Sequence, residues 1–280
     1  MSPTLAPRRL LALDLDGTLV RDDGTIDARD RAAIARARRA GAAVTLATGR
    51  LSPATLRIAR ALDLDTPLVC ADGAVLVCPR TGRVLDRIAL AEEALAALLD
   101  ALAAHDLAPF VCFPDAVFGD ESGLPHLACI SGWSTAVEVH PVIAPALDGR
   151  ACEVVMALGL GPRDRVEAAL AVASAALGPA AALATFGLGE GAPWALRAQP
   201  PGVDKGTALA RLAAHLGVAR ADVAAVGDWY NDLSMLSWAG QSFAMGQSPP
   251  AVRAAAREVL TATAAKGGGI AEAVNRWLGG

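Results

Sequence analysis

The sequence of 280 residues has few aromatic side chains, 4% of the total, and it contains no long uninterrupted hydrophobic run. A helix that spans a bilayer needs about 20 consecutive apolar residues, which excludes a membrane-spanning segment. The apolar stretch near the N-terminus is interrupted by Asp14 and Asp16, so it is too short for a signal peptide. We therefore expect a soluble, cytoplasmic protein with no membrane partner.

The cysteines and histidines also lack the patterns of a structural or catalytic metal site. The five cysteines are widely spaced without a C-x-x-C pair, and the four histidines form neither H-E-x-x-H nor H-x-x-E-H. This excludes a disulfide framework or a zinc site and fits a reducing compartment. The net charge of −4 provides no basic surface for nucleic acid. The sequence predicts no particular oligomeric state.

Apolar strands and helices do alternate at the two ends of the chain. Strands are predicted at Leu10–Leu15, Ala42–Thr48 and Asp222–Val226, and a helix is predicted to begin at Asp27 and another at Ser52. Such alternation is typical of a parallel sheet covered by helices on both faces. The fold class is therefore α/β, with a Rossmann-like parallel-sheet core.

The middle of the chain forms a second group of strands and helices. Proline and glycine residues lie at both ends of this middle segment. The alternation of apolar strands and helices resumes after Pro200-Pro201-Gly202. The simplest interpretation is one parallel-sheet domain formed by residues 1–80 and 200–280. Residues 81–199 then form a second α/β domain inserted into the first.

Polar residues follow the predicted strands of the first domain. Asp14 and Asp16 end the first strand, Thr48 ends the second, and Asp228 follows a later one, while Lys205 begins a helix. Because ligands of open parallel sheets bind beyond the carboxyl ends of the strands, these groups are expected to converge at one edge. Carboxylates this close together resist joint ionisation, so they predict a divalent cation. An all-oxygen site with few protein ligands suits Mg²⁺.

These residue types are able to perform phosphoryl transfer. Asp14 can attack phosphorus and form an aspartyl phosphate, and Asp16 can give a proton to the leaving oxygen and later take one from water. Thr48 and Lys205 can hold the anion. Gly17 lets the chain turn tightly after the two acids.

Four segments in this order resemble the motifs of the haloacid dehalogenase superfamily of phosphohydrolases: "DLDGTL", "TGR", "KGTAL" and "GDWYND". The resemblance implies catalytic roles for four residues: a nucleophile (Asp14), a general acid/base (Asp16) and a phosphate-holding pair (Thr48, Lys205). It also implies that Mg²⁺ is bound by Asp14, the backbone carbonyl of Asp16, Asp228 and, more remotely, Asp232.

The place of the insertion, between Thr48 and Lys205, resembles the Cof-type or IIB branch of that superfamily with its α/β (C2B-type) cap. Two positions depart from the usual pattern of that branch, because Asp72 and Gln247 stand where asparagine is usual. The resemblance implies that the substrate is a small phosphorylated metabolite such as a sugar phosphate. It also implies that the cap supplies specificity.

Several candidate substrate-binding residues have an alternative interpretation. Thr48 and Gly49 precede a helix that Thr48 could cap, and Arg50 either contacts substrate or forms a surface ion pair. Asn231 either binds phosphate or caps a helix. Together with Lys205, these residues form the predicted phosphate-binding set.

Three other functions fit parts of the pattern. A phosphomutase would use the same core but would pass the phosphoryl group to another hydroxyl. A phospho-receiver or binding module would also place an acceptor aspartate at a strand end, although receivers are much shorter. A dehalogenase has no need of the second acid, Asp16.

Overall fold

The structure is a computed structural model that describes residues 9–147 and 149–279. Residues 1–8 and Gly280 of the first predicted domain, and Asp148 of the second, lie outside the described residues. The strands within the described ranges are β1 (Arg9–Leu13), β2 (Ala42–Leu46), β3 (Leu68–Cys70), β4 (Val75–Val77), β5 (Val84–Arg87), β6 (Ala108–Cys112), β7 (Val117–Asp120), β8 (Val137–His140), β9 (Met156–Gly161), β10 (Ala182–Gly187), β11 (Trp194–Gln199), β12 (Val223–Gly227), β13 (Gln241–Ala244) and β14 (Glu258–Val259).

The α-helices in the same ranges are α1 (Ala28–Arg39), α2 (Ser52–Ala61), α3 (Glu92–Ala103), α4 (Leu127–Ile130), α5 (Ile143–Ala146), α6 (Arg163–Leu177), α7 (Lys205–Leu216), α8 (Leu233–Trp238), α9 (Pro250–Ala255) and α10 (Gly269–Leu278). None of these helices combines the length and the apolar character that are needed to span a membrane.

The chain divides into two compact units. The first runs up to Gly49, continues over Thr55–Leu85 and resumes from Asp204 onward. The second consists of Arg50–Ala54 and Asp86–Val203.

The first unit is built on a five-stranded parallel sheet with the order β14-β13-β12-β1-β2. Its central strand β1 pairs with β2 on one side and with β12 on the other, so that Leu10 lies opposite Ala43 and Val223. The residues Leu10–Leu13 are fully buried, as expected for a strand covered on both faces. The predicted α/β fold with a parallel-sheet core is therefore confirmed.

The strand that follows α2 belongs to a separate sheet of the first unit. β3 forms an antiparallel pair with β4 in a separate three-stranded sheet of order β3-β4-β5, and Val69 also forms an isolated parallel bridge with Ala47 beyond the end of β2.

Helix α7 begins at a complete capping box. The side chain of Asp204 accepts a hydrogen bond from the Thr207 backbone N–H (2.7 Å), and the Thr207 hydroxyl accepts one from the Asp204 N–H (3.1 Å). Two backbone donors at the helix start are thereby satisfied. Since Lys205 is the first residue of α7, the capping box fixes the position of its backbone.

The second unit contains a six-stranded sheet of order β10-β11-β9-β6-β7-β8. Its pairs are antiparallel except β7–β8, and α3 and α6 cover one face with an apolar core that includes Leu98, Leu102 and Val166. Ala151–Glu153 form a turn of 3₁₀ helix, and β9 begins at Met156.

Candidate active site

Lys205 is the central cation of the site. Its side chain is fully buried, and its Nζ lies 2.6 Å from Oδ1 of Asp14 and 2.6 Å from Oδ1 of Asp232. Burial lowers the pKa of Lys205, but the charges of Asp14 and Asp232 outweigh it and raise the pKa above the ordinary value. The lysine is therefore a permanent positive charge that holds two carboxylates in place.

Asp14 directly follows β1. Its backbone N–H donates to the carbonyl of Val226 (3.0 Å), which continues the pairing of β1 with β12 beyond the end of the strand. Burial raises the pKa of Asp14 well above its ordinary value, and the charge of Asp232 adds to this, while Lys205 opposes it. One further cation beside Asp14 would favour the ionised carboxylate.

Asp228 follows β12 and is held by uncharged donors. The Thr18 hydroxyl donates to its Oδ1 (2.9 Å), and Nε2 of Gln247 lies 3.4 Å from its Oδ2. Burial, followed by the charge of Asp232, raises the pKa of Asp228 to about 6. The carboxylate has hydrogen-bond partners, but no lysine or arginine donates to it in the part of the chain described.

Asp232 is fully engaged by protein groups. Its Oδ1 binds Lys205, and its Oδ2 accepts hydrogen bonds from the backbone N–H groups of Asp228 (2.8 Å) and Trp229 (3.0 Å). Both oxygens therefore serve to orient Lys205 and the loop that carries Asp228. This suits a residue that supports the site more than one that binds a cation directly.

The three buried acids form a group that can hold a metal ion. Asp14, Asp228 and Asp232 each offer a carboxylate oxygen, and these oxygens lie within 4.8 Å of one another. Within the described ranges Lys205 is the cation that pairs with these acids, and burial, followed by the charge of Asp232, raises the pKa values of Asp14 and Asp228. An oxygen-donor set with excess negative charge fits a hard divalent cation.

Gly17 makes the close approach of two loops possible. Its φ of +81° is a backbone conformation that favours glycine, and a Cβ at this position would lie 2.4 Å from Oδ2 of Asp228. Only glycine therefore allows the turn after Asp14 and Asp16 to pass this close to the Asp228 carboxylate.

Thr48, Gly49 and Asn231 are brought together around Asp72. The Thr48 carbonyl accepts a hydrogen bond from the Asp72 N–H (3.0 Å), and a Cβ on Gly49 would lie 3.2 Å from an Asp72 carboxylate oxygen. Nδ2 of Asn231 donates to Oδ1 of Asp72 (2.9 Å). Asn231 therefore bonds to a side chain of another loop.

Asp16 and Arg50 are the remaining predicted site residues. Asp16 is exposed at the turn, where it pairs with Val20 in an isolated bridge, and its side chain is not one of the three clustered carboxylates. Arg50 is grouped with the second compact unit, and its role in substrate binding stays a prediction.

Sequence reasoning did not assign Asp72 or Gln247 to the site. Asp72 adopts a left-handed φ of 49° two residues after the buried strand β3, and Gln247 contacts both Gly17 and Asp228. An acid between two apolar strands was a visible signal for Asp72, whereas no sequence pattern connects Gln247 with Gly17.

The family of haloacid dehalogenase-like hydrolases matches residues 11–138 and 185–274. The chain belongs to this family. The matched residues include all four motifs that carry Asp14, Thr48, Lys205 and Asp228, so the buried acid cluster lies within the matched part of the chain.

Two curated relatives are phosphatases. Pyridoxal phosphate phosphatase YbhA of Escherichia coli (strain K12) is 30% identical over 269 residues, which cover 90% of this chain and 93% of that protein. The HMP-PP phosphatase of Escherichia coli O8 (strain IAI1) is 31% identical over 258 residues, which cover 88% of this chain and 87% of that protein.

Solved structures share the whole fold of this haloacid dehalogenase-like hydrolase. A haloacid dehalogenase-like hydrolase from Bacteroides thetaiotaomicron has a TM-score of 0.84 at 24% identity and covers 96% of this chain and 98% of its own. The subclass IIB sugar phosphatase BT4131 has a TM-score of 0.79 at 20% identity, with coverage of 96% and 98%. The prediction of a phosphohydrolase of the haloacid dehalogenase superfamily is confirmed, and the fold is similar to that of a subclass IIB structure.

Proposed function

We propose that this phosphatase hydrolyses a small phosphate monoester in a Mg²⁺-dependent reaction through an aspartyl phosphate on Asp14. One observation carries the proposal: the Asp14 carboxylate lies at the end of the central strand, held at 2.6 Å by the buried Lys205 within a cluster of acids. A carboxylate fixed beside a permanent cation is a nucleophile placed where an anionic group can be bound.

The reaction consists of two displacements at phosphorus. A carboxylate oxygen of Asp14 forms a bond to phosphorus while the ester P–O bond breaks, and the carboxyl of Asp16 gives its proton to the leaving oxygen. A water molecule then attacks the phosphorus, Asp16 takes a proton from that water, and the bond to Asp14 breaks to release inorganic phosphate. The exposed position of Asp16 suits a group that must meet both the leaving alcohol and water.

The phosphate group is held by Lys205, which contacts Asp14, and by residues that meet around Asp72. We assign this role to Lys205, to the Thr48–Gly49 segment and to Asn231. The raised pKa of Lys205 keeps it charged throughout the reaction, so that it opposes the charge of the phosphate oxygens. Arg50 is proposed to contact the remainder of the substrate.

The side chains of Asp14 and Asp228 and the backbone carbonyl of Asp16 are the proposed ligands of Mg²⁺. Asp232 supports them through Lys205 and through the backbone of Asp228. When bound, Mg²⁺ supplies positive charge that offsets both the acid cluster and the phosphate oxygens.

The proposed substrates are sugar phosphates and related small phosphorylated metabolites. One feature of the first unit favours an ester with an aromatic ring. Trp229 and Tyr230 follow Asp228 directly, their side chains are 57% and 51% exposed, and their rings stack edge to face at 5.3 Å. An exposed aromatic pair one residue from the acid cluster offers a surface on which an aromatic leaving group can pack.

The test is turnover of p-nitrophenyl phosphate, with and without Mg²⁺, by the purified protein. Asp14→Asn removes the nucleophile and is expected to reduce the rate at least about 1,000-fold. The control is Asp222→Asn, an exposed aspartate whose side chain forms no hydrogen bond with any residue that the structure describes. Full activity of Asp14→Asn would contradict the proposal.

Product analysis separates the proposed hydrolysis from its alternatives. With a hexose phosphate, a phosphatase releases inorganic phosphate in equal amount to the sugar, whereas a phosphomutase yields an isomeric sugar phosphate. A stable phosphorylated Asp14 without steady-state turnover would identify a receiver or binding module.

A further inference from the structure

The side chain of Gln247 contacts three other segments of the first unit, which contain Gly17, Asp228 and Ala264. It lies between β13 and α9 in the first unit, and its side-chain amide faces the turn that follows Asp14. Nε2 donates to the carbonyl of Gly17 at 2.7 Å and lies 3.4 Å from Oδ2 of Asp228. The first distance is that of a good hydrogen bond, and the second is a long one.

The other end of the same amide is also engaged. Oε1 of Gln247 accepts a hydrogen bond from the backbone N–H of Ala264 at 3.1 Å. An amide has donors at one end and an acceptor at the other. The Gln247 amide makes all three contacts in a single orientation. Its partners are the Gly17 carbonyl, the Asp228 carboxylate and the Ala264 N–H, so the three contacts reinforce one another.

Gln247 and Thr18 hold the two oxygens of Asp228 from different sides. The Thr18 hydroxyl donates to Oδ1 at 2.9 Å, and Gln247 approaches Oδ2. Gln247 also binds the carbonyl of Gly17, which lies between Asp16 and Thr18. One side chain therefore restrains both Asp228 and the turn that carries the proposed nucleophile and proton donor.

The length of the Gln247 side chain allows it to contact Gly17 and Ala264 at the same time. Asparagine is one methylene shorter, about 1.5 Å. From the same backbone position it cannot reach both the Gly17 carbonyl and the Ala264 N–H. Glutamine at this position thus makes a link that the shorter residue would leave incomplete.

We propose that Gln247 is a positioning residue that fixes Asp228 and the Gly17 turn in the arrangement that binds the divalent cation. The proposal rests on the proposed function, because it takes Asp228 and the Asp16 carbonyl as ligands of Mg²⁺. Groups that orient metal ligands typically contribute 10- to 100-fold to metal affinity. Gln247 acts through these ligands and touches no reacting atom.

The test is Gln247→Met, which keeps the length of the side chain and removes its three hydrogen bonds. The matched control is Gln241→Met on β13, whose Nε2 donates to Glu258 (2.6 Å) on the neighbouring strand β14. Mg²⁺ binding is measured by calorimetry on the substrate-free protein. Mn²⁺ binding is measured by electron paramagnetic resonance, and kcat is measured at saturating Mg²⁺.

Gln247→Met is expected to weaken binding of both ions about tenfold, while kcat at saturating Mg²⁺ stays within about threefold of wild type. Gln247→Asn is expected to give a smaller loss in the same direction. Gln241→Met is expected to bind both ions as wild type does. Because Gln247 is exposed, both of its variants are expected to fold, and circular dichroism melting verifies this.

Two results would overturn the proposal. One is an ion affinity of Gln247→Met within twofold of wild type. The other is an equal loss in Gln241→Met, which would show a general effect of removing a glutamine. If the wild-type protein binds Mg²⁺ but has no phosphatase activity, the proposed function fails while the role of Gln247 in ion binding is still measured by calorimetry.

Discussion

The ammonium group of Lys205 lies 2.6 Å from Oδ1 of Asp14, although 191 residues separate them in the sequence. Lys205 is fully buried, and only 7% of the Asp14 side chain is exposed. A charge pair this deeply buried is costly to break, because the remaining partner is left without compensation. The pair therefore couples the folding of the first unit to the geometry of its site.

Lys205→Met is expected to abolish turnover and to lower the free energy of unfolding by about 3–5 kcal/mol. The change leaves Asp14 and Asp232 facing each other with no cation. Urea unfolding and the p-nitrophenyl phosphate assay measure the two effects. The double variant Lys205→Met/Asp232→Asn removes one of the two charges and is expected to recover part of the stability but none of the activity. If Lys205→Met is as stable as the wild-type protein, the structural role of Lys205 is contradicted.

Asp228→Asn is expected to change the pH dependence of stability in metal-free buffer. The folded-state pKa of Asp228 is raised to about 6 from 3.8, so the unfolded chain releases this proton at a lower pH than the folded protein does. The contribution of Asp228 to stability therefore falls as pH rises through this window and is constant above it. The stability of Asp228→Asn relative to wild type should rise by roughly 1–2 kcal/mol between pH 5 and pH 7.5.

Urea unfolding in EDTA at the two pH values measures this difference. Added Mg²⁺ should then stabilise the wild-type protein, because it binds the folded state, and should stabilise Asp228→Asn much less. If the difference in unfolding free energy between wild type and Asp228→Asn does not change with pH, the raised pKa of Asp228 is not its cause. Equal stabilisation by Mg²⁺ would argue against Asp228 as a ligand.

Gly17→Ala and Gly41→Ala separate backbone strain from a steric clash at the site. The two glycines have similar φ values, +81° and +85°, but a Cβ on Gly17 would lie 2.4 Å from Asp228 and one on Gly41 would meet nothing within 4 Å. Each substitution should cost about 1–2 kcal/mol of stability from the left-handed conformation. Only Gly17→Ala should also lose activity, since it must displace Asp228.

Unfolding free energies and turnover of the two alanine variants provide the comparison. Equal activity of both would show that the close packing of Gly17 against Asp228 is not needed. A loss of activity in Gly41→Ala would point instead to strain as the cause.

Trp229→Ala is expected to alter substrate preference. If an aromatic leaving group packs on Trp229, kcat/KM for pyridoxal phosphate should fall about 3- to 10-fold relative to that for glucose 6-phosphate, because a stacked aromatic pair contributes about 0.5–1.5 kcal/mol. Trp277→Ala on α10 is the control, since that tryptophan contacts Arg9. An equal fall for both substrates would leave no role for ring stacking.

Much of the fold could be predicted from local patterns. The apolar runs before Asp14, Thr48 and Gly227 are strands of the parallel sheet, and Asp27 caps the helix that follows it. These features depend on residues a few positions apart, so they are visible in the sequence. The separate sheet of β3, β4 and β5 could not be predicted, because pairing depends on which strands are adjacent in space.

The sequence by itself determined which chemical groups end the strands, and it predicted that acids, a threonine and a lysine meet at one edge of a sheet. Only the tertiary structure decided how these groups divide their tasks. The carboxylate oxygens of Asp232 accept hydrogen bonds from Lys205 and from two backbone N–H groups. Asn231 donates to Asp72, 159 positions away in the sequence, and Gln247 donates to Gly17, 230 positions away. The physical reason is that a hydrogen bond between distant side chains depends on distances of a few tenths of an ångström. Those distances are set by the packing of whole elements.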